Sequence, residues 1–179
     1  MVDIRACRCQ VTGERGTVST FYRVSHKGKN KYYKNEEVYR NMIAEKEIKE
    51  QLLSYVSINI LNYDGSMFLP PVFLKRLNNI NKTYPYEVIL QTFKGNEDTL
   101  LYWMNQDNKF ENENNRLNYM MAIIQNKIND TYLKWKNEKK KLEQIEKVEL
   151  DASHINLAVE VSNQKRVTKK KEDSISDFI

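Results

Sequence analysis

Short alternating patterns near the N-terminus predict β-strands joined by turns. Apolar and polar residues alternate over residues 4–12 and 18–24, and β-forming side chains are frequent in both segments. A turn with two glycines, residues 12–16, separates them, and a later turn leads to a short third strand at residues 31–34. We therefore expect residues 1–35 to form a small β-rich head with very little core.

From residue 36 onward the apolar positions recur at helical intervals. Asn35 is a suitable N-cap for a helix over residues 36–61. Apolar clusters between residues 69 and 106 predict three short helices, with breaks at Pro85 and Gly95. These patterns predict a bundle of helices after the head.

The strongest periodic signal begins near Asn112 and predicts an amphipathic helix of about 30 residues. Its apolar positions are Leu117, Met121, Ile124, Ile128, Tyr132, Trp135, Leu142 and Ile145. The first half of this helix is apolar enough to join a core. The second half, residues 134–147, is rich in lysine, and we expect it to face solvent or a partner.

Together the patterns predict an α+β fold that is mostly α, with a finger-like head, a helical bundle, one long C-terminal helix and a flexible tail. The expected regions are a basic β-rich head at residues 1–35, a helical domain at residues 36–149 and an extended or disordered tail at residues 150–179. Within this tail, residues 155–161 alternate well enough for a strand or a docked extended segment. From residue 162 the charged composition is typical of disorder.

The composition favours a cytoplasmic protein that does not enter a membrane. No apolar run approaches the roughly 20 residues that span a bilayer, and the N-terminus lacks the apolar stretch of a signal peptide. Five glycines and three prolines are too few for the many turns of a β-sandwich or barrel. At 179 residues the chain is long enough for a small head and a second domain.

The positive charge of the chain is concentrated in the head. Eight basic residues are opposed by Asp3 and Glu14 alone, so the head carries +6, compared with +5 for the whole chain. The basic residues are Arg5, Arg8, Arg15, Arg23, Lys27, Lys29, Lys31 and Lys34, interleaved with Phe21, Tyr22, Tyr32 and Tyr33. Cations neutralise phosphates and aromatic rings stack on unpaired bases, so this pattern predicts contact with DNA or RNA. The alternative is a solvated β-surface whose aromatic residues pack on the first helix.

Cys7 and Cys9 are candidate metal ligands. Structural zinc needs four ligands, and its paired cysteines are usually two to four residues apart rather than one. His26 is the only other soft ligand nearby, because His154 is far along the chain. Zinc held by Cys7, Cys9 and His26 is one interpretation, and two small apolar cysteines that pack in a mini-core are the other. We favour the second and expect no cofactor.

The residues around Cys9 resemble a degenerate treble-clef finger. Residues 9–13 (CQVTG) precede a hairpin, and residues 31–39 (KYYKNEEVY) enter a helix, which is the order of knuckle, hairpin and helix in such fingers. Small accessory proteins of Gram-positive bacteriophages and mobile elements carry similar heads. The second ligand pair of the pattern is absent here, so the resemblance implies the finger fold and a basic surface.

The start of the long helix is similar to the tyrosine–aliphatic–tryptophan helix of DnaD-type replication-initiation domains. Residues 116–125 (RLNYMMAIIQ), followed by Trp135, carry this resemblance, although the spacing to the tryptophan is longer here. The alternative is that Tyr119, Ile124, Ile128 and Trp135 simply pack in the core of a bundle.

The chain ends in acidic, aromatic and aliphatic residues after a lysine-rich linker. Ile175, Asp177, Phe178 and Ile179 resemble the peptides by which single-strand binding proteins and sliding-clamp ligands recruit replication enzymes. Such a tether presents apolar anchors to a pocket while its carboxylates meet a basic rim. The alternative is a frayed terminus without a role.

The chain carries no recognisable catalytic motif. It has no Gly-rich phosphate loop, no nucleophile elbow and no acidic motif paired with histidine. We therefore predict a non-enzymatic nucleic-acid-binding accessory protein of a phage or mobile element, acting in replication or transcription. The alternative is an inhibitor or adaptor that binds a host or phage replication, transcription or defence protein. A further option is an assembly protein that forms a homodimer through the long helix.

Overall fold

The computed structural model describes residues 4–64, 68–106 and 109–173, with side chains described as far as residue 148 except that of residue 146. The chain divides into two compact units, Met1–Thr131 and Tyr132–Ile179. The first unit contains two β-hairpins and a helical core, and the second continues the last helix. The fold is α+β and mostly α, as predicted.

Four short strands form two antiparallel hairpins in the head. They are β1 Ala6–Arg8, β2 Arg15–Thr17, β3 Tyr22–His26 and β4 Lys29–Tyr33, and β1 pairs with β2 while β3 pairs with β4. The prediction of a single strand over residues 18–24 was wrong. The Thr20 N–H donates to the Thr17 carbonyl at 3.1 Å, and this turn ends one hairpin before the next begins.

Glycines close both hairpins where the backbone is left-handed. Gly13 has a φ of 71° in the first loop, and Lys27 and Gly28 have φ values of 49° and 75° in the second. Two successive residues with positive φ are typical of the type I′ turn, which matches the twist of a hairpin. The second hairpin is therefore a tight two-residue hairpin.

The first helix, α1 Glu36–Tyr55, begins where the sequence predicts. The Asn35 side-chain oxygen accepts a hydrogen bond from the Val38 N–H at 2.9 Å, which confirms the N-cap. A π-helical segment, Val56–Ile60, continues α1 and completes the predicted helix over residues 36–61.

Three short helices and one long helix follow. They are α2 Pro71–Asn81, α3 Tyr86–Gly95, α4 Glu97–Met104 and α5 Glu113–Asp173. The core of the first unit lies between these helices and the end of α1. Its largest fully buried side chains are Phe73, Phe93, Leu52, Ile60, Leu77, Ile89, Leu100, Leu117, Met120, Met121, Ile124 and Val56.

Helix α5 continues to Asp173, although the sequence pattern predicts a strand or extended segment at residues 155–161 and disorder from residue 162. Adding residues to an existing helix avoids the unfavourable nucleation step, and most residues of this stretch are compatible with a helix. The proposed tail anchors Ile175, Asp177, Phe178 and Ile179 lie outside the described residues.

Candidate nucleic-acid interface

In the first hairpin two arginines lie directly opposite each other. Arg8 pairs with Arg15. The next residues along the two chains, Cys9 and Glu14, are hydrogen-bonded, because the Cys9 N–H donates to the Glu14 carbonyl at 2.9 Å. Hydrogen-bonded and non-hydrogen-bonded pairs alternate along an antiparallel ladder. Arg8 and Arg15 therefore form a non-hydrogen-bonded pair, the kind in which opposing side chains are closest.

Both arginines of this pair are exposed, and neither makes an ion pair with any described residue. Like charges directly opposite each other in a sheet are destabilising. An anion between Arg8 and Arg15 would remove this repulsion and accept hydrogen bonds from both guanidinium groups. The pair thus has the chemistry of a phosphate clamp.

The other face of this hairpin is covered by an aromatic ring. Cys7 pairs with Gly16, and a Cβ added to Gly16 would overlap the ring of Phe21. Only glycine allows this close approach. Phe21 therefore occupies the face opposite the one that carries Arg8 and Arg15.

The tip of the second hairpin carries a lysine cluster. Lys29 and Lys31 are two residues apart and so lie on the same face of β4, and Lys27 lies in the turn. All three lysines are exposed, and none has an ion pair in the part of the chain that the structure describes. This tip is a second candidate phosphate contact.

Arg23 lies on the opposite face of the second hairpin from Lys29 and Lys31. It pairs with Tyr32; the Arg23 side chain is exposed and the Tyr32 side chain is half-buried. An arginine beside an aromatic ring suits an unpaired base, which can stack on the ring while the cation meets a phosphate. The predicted basic residues therefore do not all share one surface.

Two of the predicted basic residues have partners within the protein. The Lys34 ammonium lies 3.1 Å from a carboxylate oxygen of Glu14, and Arg5 also interacts within the chain. The remaining predicted residues have no ion pair among the described residues. They are Arg8, Arg15, Arg23, Lys27, Lys29 and Lys31.

Two of the head's tyrosines pack against α1 instead of facing a ligand. The ring centroids of Tyr22 and Tyr33 lie 5.7 Å and 4.9 Å from that of Tyr39. Tyr33 is buried, and this burial raises the pKa of its hydroxyl, with smaller contributions from Tyr39 and Cys9. The alternative interpretation, in which aromatic residues pack on the first helix, therefore holds for Tyr22 and Tyr33.

Cys9 joins the first hairpin to the end of β4. Its buried Sγ accepts hydrogen bonds from the N–H groups of Thr12 at 3.4 Å and Lys34 at 3.3 Å. Burial raises the pKa of the Cys9 thiol, but the hydrogen bonds from Thr12, Val11 and Lys34 outweigh it and lower the pKa to about 7. As a hydrogen-bond acceptor, Cys9 therefore links the loop of the first hairpin to the residue that follows β4.

The structure does not bring Cys7, Cys9 and His26 together. Cys9 contacts Lys34 just beyond one end of β4, while His26 pairs with Lys29 at the other end. Because a strand rises about 3.3 Å per residue, the two ends are roughly 15 Å apart. In the described ranges, no group of three His, Cys, Asp or Glu side chains is placed to hold a metal ion.

The residues that carry the resemblance to DnaD-type domains have separate surroundings. Ile124 and Ile128 are buried in the core, and the Tyr119 ring packs edge-on against Trp103 at 5.9 Å. In the second unit, Trp135 stacks on its own helix neighbour and lies 4.5 Å from the Lys139 ammonium. The core-packing alternative is confirmed for Ile124 and Ile128.

The family described as SPbeta prophage protein YorH matches residues 7–177 of the chain. No curated protein and no solved structure matches it. The resemblances to treble-clef fingers and DnaD-type domains therefore stay predictions. Among the described residues, no helix combines the length and apolarity needed to cross a bilayer.

Proposed function

The chain belongs to the family of SPbeta prophage protein YorH, and from that premise we propose that it is a phage accessory protein that binds nucleic acid through its head and has no catalytic activity of its own. The observation that carries the proposal is the opposed pair Arg8 and Arg15, exposed on one face of a hairpin without a carboxylate partner among the described residues. Such a pair is stabilised by a phosphate held between its guanidinium groups.

Other unpaired cations of the head offer further contacts, although they do not all lie on one surface. The lysines at the tip of the second hairpin neutralise further phosphates, and Arg23 with Tyr32 offers a cation beside a ring on which a base can stack. Binding that depends on phosphates releases counterions, so affinity falls steeply as salt rises. Sequence preference would come from contacts with bases or from the sequence-dependent shape of the nucleic acid.

The test is a salt titration of full-length protein with labelled single-stranded and double-stranded oligonucleotides, followed by fluorescence anisotropy. In the double variant R8A/R15A we expect weaker binding and a salt slope less steep by about 0.9 per lost contact on duplex DNA. The variant should be at least as stable as the parent, because it removes a like-charge pair. Lost binding could then not be attributed to unfolding.

The matched control is R40A/K46A on α1. Arg40 and Lys46 are exposed and form ion pairs with Glu36 and Glu50 on their own helix, so the same charge is removed from paired residues. The control should bind almost as well as the parent. Equal weakening in both double variants, or no binding at low salt, would contradict the proposal.

A second function, in which the protein inhibits or recruits a nucleic-acid-processing enzyme, is favoured by exposed apolar side chains in the second unit. Leu142 and Ile145 are 60% and 53% exposed. They are three residues apart, and Trp135 precedes Leu142 by one heptad, so the three residues share one face of α5. Such a face can lie in an apolar groove of a partner protein.

A further inference from the structure

A cleft of about 520 Å³ lies between α2 and α5 in the first unit. Its lining residues are Val72, Lys75, Arg76 and Asn79 from α2 and Asn118 and Gln125 from α5. The lining thus combines two cations with three amides and contains no carboxylate. A site with this composition favours a ligand that is anionic and also has groups for hydrogen bonding.

The spacing of these residues along their helices explains why they line one cleft. Lys75 and Asn79 are four residues apart on α2, so their side chains are neighbours on one helical face. Asn118 and Gln125 are two turns apart on α5 and likewise share a face. Two helical faces that each carry polar residues therefore oppose each other at this cleft.

The two cations of the cleft have no ion pair with any residue that the structure describes. Arg76 is half-buried, whereas Lys75 is exposed. A guanidinium group that is partly removed from water attracts an anion more strongly than one on an open surface. Arg76 can also hold two oxygen atoms of one phosphate at the same time.

The amide of Asn118 adds a second requirement for the ligand. Its Oδ1 atom is buried and accepts no hydrogen bond from any described residue. Buried polar atoms in proteins are normally hydrogen-bonded. A simple phosphate at neutral pH would satisfy Lys75 and Arg76 but offers this oxygen few donors, whereas an amino or hydroxyl group would satisfy it.

We infer that this cleft binds a nucleotide. Its phosphate contacts Lys75 and Arg76, and an amino group of its base or a hydroxyl group of its sugar donates to the Asn118 oxygen. The cleft volume lies within the range of about 300–1,000 Å³ that is usual for small-ligand sites. The inference does not depend on the head, because every lining residue belongs to α2 or α5.

The first experiment titrates isotope-labelled full-length protein with AMP, GMP, CMP and UMP, and separately with inorganic pyrophosphate, while the side-chain amide signals of Asn79, Asn118 and Gln125 are followed by NMR. We expect these signals to shift with at least one mononucleotide. In Arg76→Gln the affinity should fall about tenfold, because a charge-assisted bidentate contact is lost. The control is Lys82→Gln, an exposed cation directly after α2 that lies outside the lining, and it should leave the affinity unchanged.

Asn118→Ala separates nucleotide recognition from simple anion binding. This substitution should weaken the binding of the mononucleotide and leave the binding of pyrophosphate unchanged. If pyrophosphate binds as tightly as every nucleotide, and Asn118→Ala changes neither, the inference of a nucleotide site is overturned. The amide signals of the parent protein report the preference for nucleotide over pyrophosphate without any substitution, so a variant that fails to fold does not remove the test.

A second arm distinguishes a free nucleotide from one within a nucleic acid. A short oligonucleotide is added to the head variant R8A/R15A, which keeps the cleft intact. Shifts of the cleft amides with the oligonucleotide but with no mononucleotide would assign the site to nucleic acid, and shifts with a mononucleotide would assign it to the free ligand. If the cleft amides shift with neither ligand, the inference is overturned. The NMR result does not depend on whether the head binds nucleic acid in the anisotropy test.

Discussion

The Cys9 sulfur accepts hydrogen bonds from two backbone N–H groups, an arrangement that favours the thiolate. Thr12 and Lys34 donate to it from two different segments, so its charge state is linked to the folding of the head. A folded state that lowers the pKa of a group is more stable at pH values where that group is ionised. The consequence is a pH dependence that can be measured.

We expect the free energy of unfolding to rise between about pH 7 and pH 9 in reducing buffer. The folded state lowers the pKa of Cys9 from 9.0 to about 7, so the unfolded chain binds more protons in this window. The stabilisation is fully present above the pKa of Cys9 in the unfolded chain. It is lost as the pH falls through the pKa of Cys9 in the folded protein. Urea unfolding at several pH values measures it.

Cys9→Ala should remove this rise, while the matched variant Cys7→Ala should keep it. The ultraviolet absorbance of the thiolate in folded Cys7→Ala protein gives an independent titration of Cys9. A midpoint near the ordinary thiol value, or the same pH dependence in Cys9→Ala as in the parent, would show that the hydrogen bonds do not hold a thiolate.

The sequence identifies the basic residues of the head but not their partners. Lys34 lies beside Glu14, which is distant in sequence, and Arg8 faces Arg15 only because of the register of the hairpin. A shift of one residue in that register would place the arginines on different faces. Charge can be counted from sequence, whereas cross-strand opposition depends on turn geometry that only the structure supplies.

Among the elements, local signals predicted the helices well and the strands poorly. A helix cap or a helix break depends only on residues close in sequence. The bounds of α1, α3 and α4 accordingly lie beside Asn35, Pro85 and Gly95. The turn after Thr17 was missed because Val18, Thr20 and Tyr22 alternate as a strand would. The cleft between α2 and α5 could not be predicted, because it needs the packing of two helices distant in sequence.

A side-chain hydrogen bond joins α1 to α4. The Tyr55 hydroxyl, at the end of α1, donates to a Glu97 carboxylate oxygen in the first turn of α4 at 2.7 Å. Tyr55→Phe keeps the ring and removes this hydrogen bond to a charged group. We expect the free energy of unfolding to fall by about 1–2 kcal/mol, measured by chemical denaturation.

The matched control is Tyr102→Phe, which removes the hydroxyl of an exposed tyrosine in the same α4 helix. It should change the stability by less than about 0.5 kcal/mol. The double variant Tyr55→Phe with Glu97→Gln should lose less free energy of unfolding than the sum of the losses in the two single variants. Additive effects would mean that the two side chains act independently.

For the molecule as a whole, the charge distribution and the apolar face of α5 point to different partners. The head carries +6 and the remaining residues sum to −1, so a polyanion meets the head first. Leu142 and Ile145 are instead exposed apolar residues in the second unit, Tyr132–Ile179. Each surface can be changed without altering the other, which allows the two functions to be separated.

We expect R8A/R15A to lose the nucleic acid that co-purifies with the tagged protein from its native cell, and L142Q/I145Q to retain it. Both variants change exposed residues, so the free energy of unfolding should shift by no more than about 0.5 kcal/mol. Lys141→Gln, an exposed change beside Leu142, is the control for the helix. Quantification of nucleic acid and protein before and after nuclease treatment gives the readout.

A protein partner that survives nuclease, stays with R8A/R15A and is lost with L142Q/I145Q would instead assign the main function to α5. Light scattering of the same variants separates such a partner from a second copy of the chain, because only self-association changes the mass of the purified protein.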